Sequence, residues 1–272
     1  MKKIILTITF IFTSIFLIGC NKGINDSKTI HIIATQIPHE EILKQAEPLL
    51  KEKGYSLKIT VTDDYSFPNK AVSKKSADAN FFQHIPFLEK YNLETDEKEQ
   101  LTNVAVIHIE PIVGYSKTIT QINQMTKESR ILISNSIPDH GRILMILKEY
   151  GLITLKEGVN TLTATLNDIT DKSILQPKNF IQVAPELLVS SYKNEKNIDL
   201  AFINGNFALE AKIPSNEKII TEKTDNNPYV NIIAVLKGRE ELPKIKALIE
   251  VLTSNEIKTF INNQYQGSVI PA

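Results

Sequence analysis

Cys20 is the one cysteine in 272 residues, so the chain cannot close an internal disulfide. It follows Leu17-Ile18-Gly19 directly, at the end of an apolar run from Ile4 to Ile18 broken only by threonines and Ser14. With Lys2 and Lys3 ahead of it, the run reads as an export signal, too short and too early for a stop-transfer helix. A thiol straight after Leu-Ile-Gly looks like a bacterial lipobox, in which diacylglycerol alkylates the sulfur and cleavage leaves Cys20 first. An uncleaved anchor helix with an incidental cysteine is the alternative, and both readings put the protein outside the cytoplasm on a membrane tether. A lipidated sulfur is no nucleophile. Other chemistry is sparse: the histidines at 31, 39, 84, 108 and 140 lack a metal-ligand spacing. Asp63-Asp64 could hold a cation but equally suits a solvated turn. No Gly-x-Ser-x-Gly elbow, His-Glu-x-x-His helix, phosphate loop or dinucleotide fingerprint occurs, so no enzyme, no metal and no cofactor are expected.

Charge narrows the partners. The whole chain balances 31 basic against 31 acidic side chains, and losing Lys2 and Lys3 with residues 1–19 leaves 29 against 31. That balance gives no long-range attraction for nucleic acid. Lys51, Lys53 and Lys58 are interleaved with acids and polar residues and read as a solvated face. Residues 20–28 form the lipidated cysteine and a short polar tether, and the 253 residues from Cys20 onward suffice for a substantial core, near the size where chains divide into two domains.

The elements that would position any site alternate. Ile30–Thr35 suggests a strand, and Pro38–Lys53 a helix with Ile42, Leu43, Ala46, Leu49 and Leu50 on one face, closed by Gly54. Leu57–Val61 reads as a strand, Pro68–Val72 as a helix, and Ala77–Phe81 and Val104–Ile109 as strands. The pattern restarts with a strand at Arg130–Ser134, a helix at Pro138–Tyr150, a strand at Phe180–Ala184, a helix at Pro185–Tyr192 and a strand at Ile198–Ile203. Tyr229–Leu236 is β-rich, and helices are predicted near Glu241–Leu252 and Asn255–Asn262. Such alternation predicts α/β architecture with mostly parallel sheets. Ligands of open α/β sheets gather at strand C-termini, where Asp64-Tyr65, Asn80–His84, Asn135–Arg142 and Asn204-Gly205-Asn206 all fall.

Ordered motifs carry a resemblance over the mature chain: His39; Asp64-Tyr65 with Pro68-Asn69; Asp78-Ala79-Asn80-Phe81-Phe82-Gln83-His84; Gly141-Arg142; Phe202-Ile203-Asn204-Gly205-Asn206; Pro228-Tyr229-Val230-Asn231-Ile232-Ile233; and Gly267-Ser268-Val269-Ile270-Pro271. Together they resemble the methionine-binding lipoprotein family of methionine ABC importers. The resemblance implies a two-lobed, periplasmic-binding-protein-like (Venus flytrap) α/β fold with the ligand between lobes. Lobe 1 would comprise 29–110 plus 229–272, and lobe 2 would comprise 111–228.

It further implies an extracytoplasmic binding protein that delivers methionine, or a related amino acid, to a permease and its ATPase. Arg142, at the expected start of a helix, would clamp the ligand carboxylate through its bidentate fork, although alone it reads equally as a salt-bridge partner. Asn204 and Asn231 would hold the head group. Tyr65, Phe82, His84 and Phe87 would line the side-chain wall, where a thioether meets aromatic edges. Phe87 stands where the family commonly has Tyr, and the 134–140 loop lacks the family's usual Pro/Thr pattern. A non-transporting envelope lipoprotein is the competing class.

Overall fold

A computed structural model describes residues 28–160 and 162–272. The export signal, Cys20 and the tether up to Ser27 lie outside the described residues.

The chain enters through β1 (Thr29–Ala34). A wide turn at Gln36–Glu40, with extended backbone at Ile37, precedes α1 (Glu41–Glu52). Ile42, Leu43, Ala46 and Leu50 are the buried face of α1, the spacing a helix needs to present one apolar stripe. Gly54 follows at φ +79°, a conformation that ends the helix and is open to glycine without strain. Then come β2 (Ser56–Val61), α2 (Phe67–Ser73), β3 (Ala79–His84), α3 (Ile85–Leu93) and β4 (Leu101–Ile109). His84 does two jobs at the β3–α3 junction: it ends the strand, and its Nδ1 accepts the Phe87 N–H at 3.2 Å as the helix cap.

After residues 110–112 the chain forms β5 (Val113–Tyr115), β6 (Ile131–Ser134), α4 (Ile137–Glu149) and β7 (Phe180–Val183). It continues through α5 (Leu188–Asn194), β8 (Leu200–Ile203), α6 (Gly205–Glu210) and β9 (Lys218–Thr221). It then crosses back into β10 (Val230–Leu236), α7 (Pro243–Leu252), α8 (Asn255–Tyr265) and β11 (Ile270–Pro271).

These strands make two sheets, ordered β11-β4-β10-β3-β1-β2 and β7-β6-β8-β5-β9. Each sheet is covered on both faces. In the first, Ile233 and Val235 pack with α1, α7 and α8, whereas Ile232 and Ala234 turn to Ala71, Val72 and Leu88 of α2 and α3. That split is the two-residue period of a strand whose faces are both buried. The second sheet has Ile131, Ile133 and Leu200 on one side with α4, and Leu132, Ala201 and Ile203 on the other with α5 and α6.

The expectation of mostly parallel sheets needs correcting. β1 pairs in parallel with β2 and β3, and β6 with β7 and β8. β10 and β5, however, run antiparallel to every neighbour. These two strands follow the crossings between sheets, so no covering helix returns the chain to a parallel start. The architecture is a bilobed α/β fold with two mixed sheets.

Candidate functional site

Both sheets aim the same kind of feature at one place. The first contributes the turn after β1, the C-terminus of β3 and the start of β10; the second contributes the starts of α4 and α6. The cavity between them is lined by His39, Tyr65, Phe82, Gln83, His84, Phe87, Glu110, Asp139, Arg142, Asn204, Gly205, Asn206 and Asn231. All seven ligand-site candidates read from the sequence, namely Tyr65, Phe82, His84, Phe87, Arg142, Asn204 and Asn231, are on that wall. The free volume is about 30 Å³, room for a water or two.

The aromatic wall is built edge to face. Tyr65 meets Phe82 at 5.8 Å and Phe87 at 6.1 Å between ring centroids, and Phe82 meets Phe87 at 5.5 Å. Phe207, from α6, stacks on Tyr65 at 5.5 Å. The Tyr65 hydroxyl crosses between sheets to donate to Asn206 Oδ1 at 2.7 Å. Burial, with the negative charges of Asp139 and Glu110, pushes the Tyr65 phenol well up, so it remains a donor.

Arg142 is placed differently from its expectation. It lies in the second turn of α4, five residues after the helix begins, because Ile137 and Pro138 already form the first turn. The helix-terminal field therefore adds little at Arg142 itself. The guanidinium is instead forked onto Glu222: Nε donates to Oε1 at 3.0 Å and Nη2 donates to Oε2. Nη2 also donates to the Glu110 carbonyl at 3.0 Å, and the Tyr229 ring faces the guanidinium carbon at 4.7 Å. Burial works most strongly against its charge, but Glu222 together with Asp139 and Tyr229 raises the Arg142 pKa. Nη1 is engaged by none of these bonds.

Carboxylates that sequence reasoning missed supply the opposite charge. Asp139 Oδ2 accepts from Asn204 Nδ2 at 3.0 Å and Ser134 Oγ at 3.1 Å, and His84 Nε2 stands 3.4 Å from Oδ1. Since His84 Nδ1 accepts the Phe87 N–H, Nε2 carries the proton toward Asp139. Burial opposes the charge on Asp139, yet the His84 hydrogen bond, the Arg142 charge and the Asn204 amide hold its carboxyl below the usual range. Glu110 behaves in the opposite way: burial raises its pKa despite nearby His39 and Arg142. Asn204 Oδ1 is buried with no hydrogen-bond partner among the described residues.

Glu110 also gathers two histidines. His108 Nε2 lies 2.9 Å and His39 Nε2 3.4 Å from its Oε1, while His39 Nδ1 meets Thr35 Oγ1 at 2.7 Å. His39 Nε2 also faces Asn231 Oδ1 at 3.1 Å, and two acceptors at one nitrogen mean an N–H there. Burial keeps both rings neutral, with His39 lowered to about 4 and His108 to about 3. The ligand atoms of His39, His108 and Glu110 lie within 4.8 Å of one another, a grouping that the sequence spacing did not foreshadow. The His108 N–H donates to the carboxylate, whereas the His39 N–H donates to Asn231 Oδ1 and only faces Glu110. Asp64, the other cation candidate, is a turn residue whose Oδ1 accepts the Ser66 N–H at 2.7 Å.

The sequence signal for Glu110 and Glu222 was faint, each being a lone acid beside an apolar strand. Position does distinguish them, since each lies where the chain passes from one sheet to the other.

Comparison with known proteins places the chain in a family. Residues 30–272 match the family model described as NlpA lipoprotein. The chain is 46% identical to the methionine-binding lipoprotein MetQ of Bacillus subtilis (strain 168), over 100% of this chain and 99% of that protein. It is 31% identical to the D-methionine-binding lipoprotein MetQ of Salmonella typhi, over 94% and 93%. A crystallised Bacillus subtilis lipoprotein superposes with TM-score 0.84 at 47% identity, covering 90% of this chain and 98% of that one. A nutrient-binding protein from Burkholderia cenocepacia bound to methionine gives 0.81 at 28% identity, covering 89% and 99%. Fold and kinship are those of a non-catalytic solute-binding protein. The chain belongs to the NlpA lipoprotein family, whose members are lipid-anchored, extracytoplasmic proteins of the cell envelope.

Proposed function

We propose that this protein is the substrate-binding lipoprotein of an ABC importer and captures free methionine between lobes formed by 29–110 plus 229–272 and by 111–228. Cys20 carries the lipid anchor. The observation that carries this reading is the convergence, in one buried cavity, of a guanidinium, two carboxylates, unsatisfied amide capacity and an aromatic wall. A zwitterion with a flexible apolar side chain needs that combination. In this reading the ligand carboxylate takes Arg142 Nη1, already oriented by Glu222 and the Glu110 carbonyl. The ligand ammonium takes the Asn204 Oδ1 acceptor beside Asp139, with Glu110 and the Asn231 amide completing the head-group site. Tyr65, Phe82, His84 and Phe87 receive the thioether, worth about 0.3–1.5 kcal/mol per sulfur–aromatic contact. The names of relatives that bind methionine or D-methionine support the same cargo.

A cavity of about 30 Å³ cannot admit an amino acid, so capture begins with the lobes apart. Contacts from both lobes to one ligand then favour the closed form by differential affinity. Calorimetric titration of ligand-stripped protein with L-methionine, D-methionine and other amino acids tests the reading. Saturable methionine binding supports it; binding of a different amino acid keeps the receptor and replaces the cargo. Folded, stripped protein that binds none removes the reading.

A further inference from the structure

At the opposite end of the first sheet from the ligand cavity, a second and larger cleft opens at the start of β1, the start of β3 and the end of β10. It is lined by Lys28, Lys58, Lys75, Lys98, Lys237, Arg239 and Lys244, with Asp78 as its one carboxylate. Asp78 is already committed, to Lys244 at 2.6 Å and to Arg239 at 3.4 Å. Of the nearby acids, Glu99 pairs with Lys74 and Glu240 accepts the Gly238 N–H, while Asp96 and Glu97 beside Lys98 are exposed. Lys28, Lys58, Lys75, Lys98 and Lys237 are exposed. In a chain with no net charge, this is a strong local polarisation toward positive.

We propose that this basic cleft docks the protein on the anionic phospholipid headgroups of the leaflet that holds its anchor. The position of the cleft along the chain selects that partner. Lys28 stands eight residues after Cys20, a reach of at most about 28 Å even when fully extended. The cleft is thus the part of the folded body that the anchor keeps beside the bilayer. The diacylglyceryl group on Cys20 already holds the protein on the membrane, and a polybasic surface adds the electrostatic contact that fixes how the folded body sits on it. Docked this way, the ligand cavity lies at the end of the first sheet farther from the membrane. The inference uses the lipid anchor but not the identity of the cargo.

The test is lysine acetylation footprinting of the lipidated mature protein on vesicles of phosphatidylcholine alone or mixed with phosphatidylglycerol. Labelling of Lys28, Lys58, Lys75, Lys98 and Lys237 falls about threefold or more on the anionic vesicles and returns at ~1 M salt, where the Debye length is about 3 Å. Lys178 and Lys218, exposed on the second lobe, serve as references and keep their labelling. A Lys58→Glu, Lys98→Glu variant loses the protection while keeping its unfolding midpoint and amino-acid titration. Equal labelling on both vesicle types overturns the proposal, as does protection that survives salt or the charge reversals. Protection by soluble polyphosphate on neutral vesicles, with none from phosphatidylglycerol, overturns it in favour of a polymeric anion. Because the readout is lysine protection, a failed methionine titration leaves this test intact.

Discussion

Arg142 and Glu222 are 5% and 7% exposed, so the pair is removed from water almost entirely. Breaking such a pair strands a buried charge at a cost of about 3–5 kcal/mol. Arg142→Ala therefore loses amino-acid affinity and also lowers the urea midpoint, two effects that a binding assay alone would confound. Arg142→Met combined with Glu222→Gln separates them. Gln keeps an acceptor for the Ile112 N–H that Glu222 Oε2 now serves at 3.0 Å. The double variant recovers most of the lost stability and still fails to bind; recovered binding would dismiss Arg142 as the carboxylate clamp.

The buried imidazoles make stability depend on pH. In the unfolded chain they protonate near 6.5, but in the fold His39 stays neutral to about 4 and His108 to about 3. Between those limits the unfolded state holds more protons, so stability rises with pH and is lost on acidification from 6.5 toward 4. For His39 the fall from 6.5 to about 4 corresponds to about 3 kcal/mol. Glu110, raised by burial, acts the other way just above the ordinary carboxylate value: there the folded state holds more protons and stability declines as pH rises. Asp139, held low, gives up its share as pH drops through its folded value, below 3.8. Urea titrations across pH 4–6.5 should show a positive slope that flattens in a His39→Gln, His108→Gln variant; an unchanged slope would assign it elsewhere.

At the scale of elements, two glycines make opposite demands. A Cβ on Gly114, in the middle of β5, would sit 2.7 Å from Ile220 Cγ2 and 3.1 Å from Leu200 Cδ1. Gly114→Ala overpacks the second core and costs about 1–3 kcal/mol in thermal or urea unfolding, with methionine affinity retained in the folded fraction. A Cβ on Gly205 would meet Glu110 Cβ and Oε2, both at 2.8 Å, where α6 approaches the crossing from the first sheet. Gly205→Ala holds that approach open, so affinity falls while the unfolding midpoint moves little. The reverse pattern in the two variants would reject this division of labour.

Elements with a strong period were legible in the sequence. The apolar stripe of α1 and the β-branched β2 and β10 declared themselves, as did Pro138 at the head of α4. β5 and β9 were not foreseen, because three- and four-residue strands carry too little pattern to stand out from loop. Strand direction was misread because an apolar run buries equally well in either direction, and only the connection decides which. The aromatic and amide residues that line the cavity were picked out as candidates through motif resemblance. Asp139, Glu110 and Glu222 were missed because a carboxylate in a loop usually faces water, and only the fold shows that these do not.

For the whole molecule, the proposed closure rests on a few named contacts between the two sheets' lobes. Tyr65 to Asn206 is the most direct, at 2.7 Å. Removing it in Tyr65→Phe forfeits about 0.5–1.5 kcal/mol of closed-state stability and leaves the aromatic packing in place. Dissociation of the proposed methionine ligand, measured by stopped flow, should then quicken by about 2- to 12-fold, with association nearly unchanged. An unchanged off-rate would mean that the hydroxyl does not hold the lobes.

The order of strands has a further consequence for how the chain is made. β10 lies between β4 and β3, and β11 covers the outer side of β4. A nascent chain threaded outward from its N-terminus therefore presents β1 to β4 with their central slot empty. The second sheet draws all its strands from Val113 to Thr221 and can close first. The first waits for Val230–Leu236, more than a hundred residues after β4, a long-range pairing that topology makes slow. That delay leaves the first sheet split, with β4 parted from β3, until β10 arrives. The strand that delays the first sheet is therefore the one that seals it.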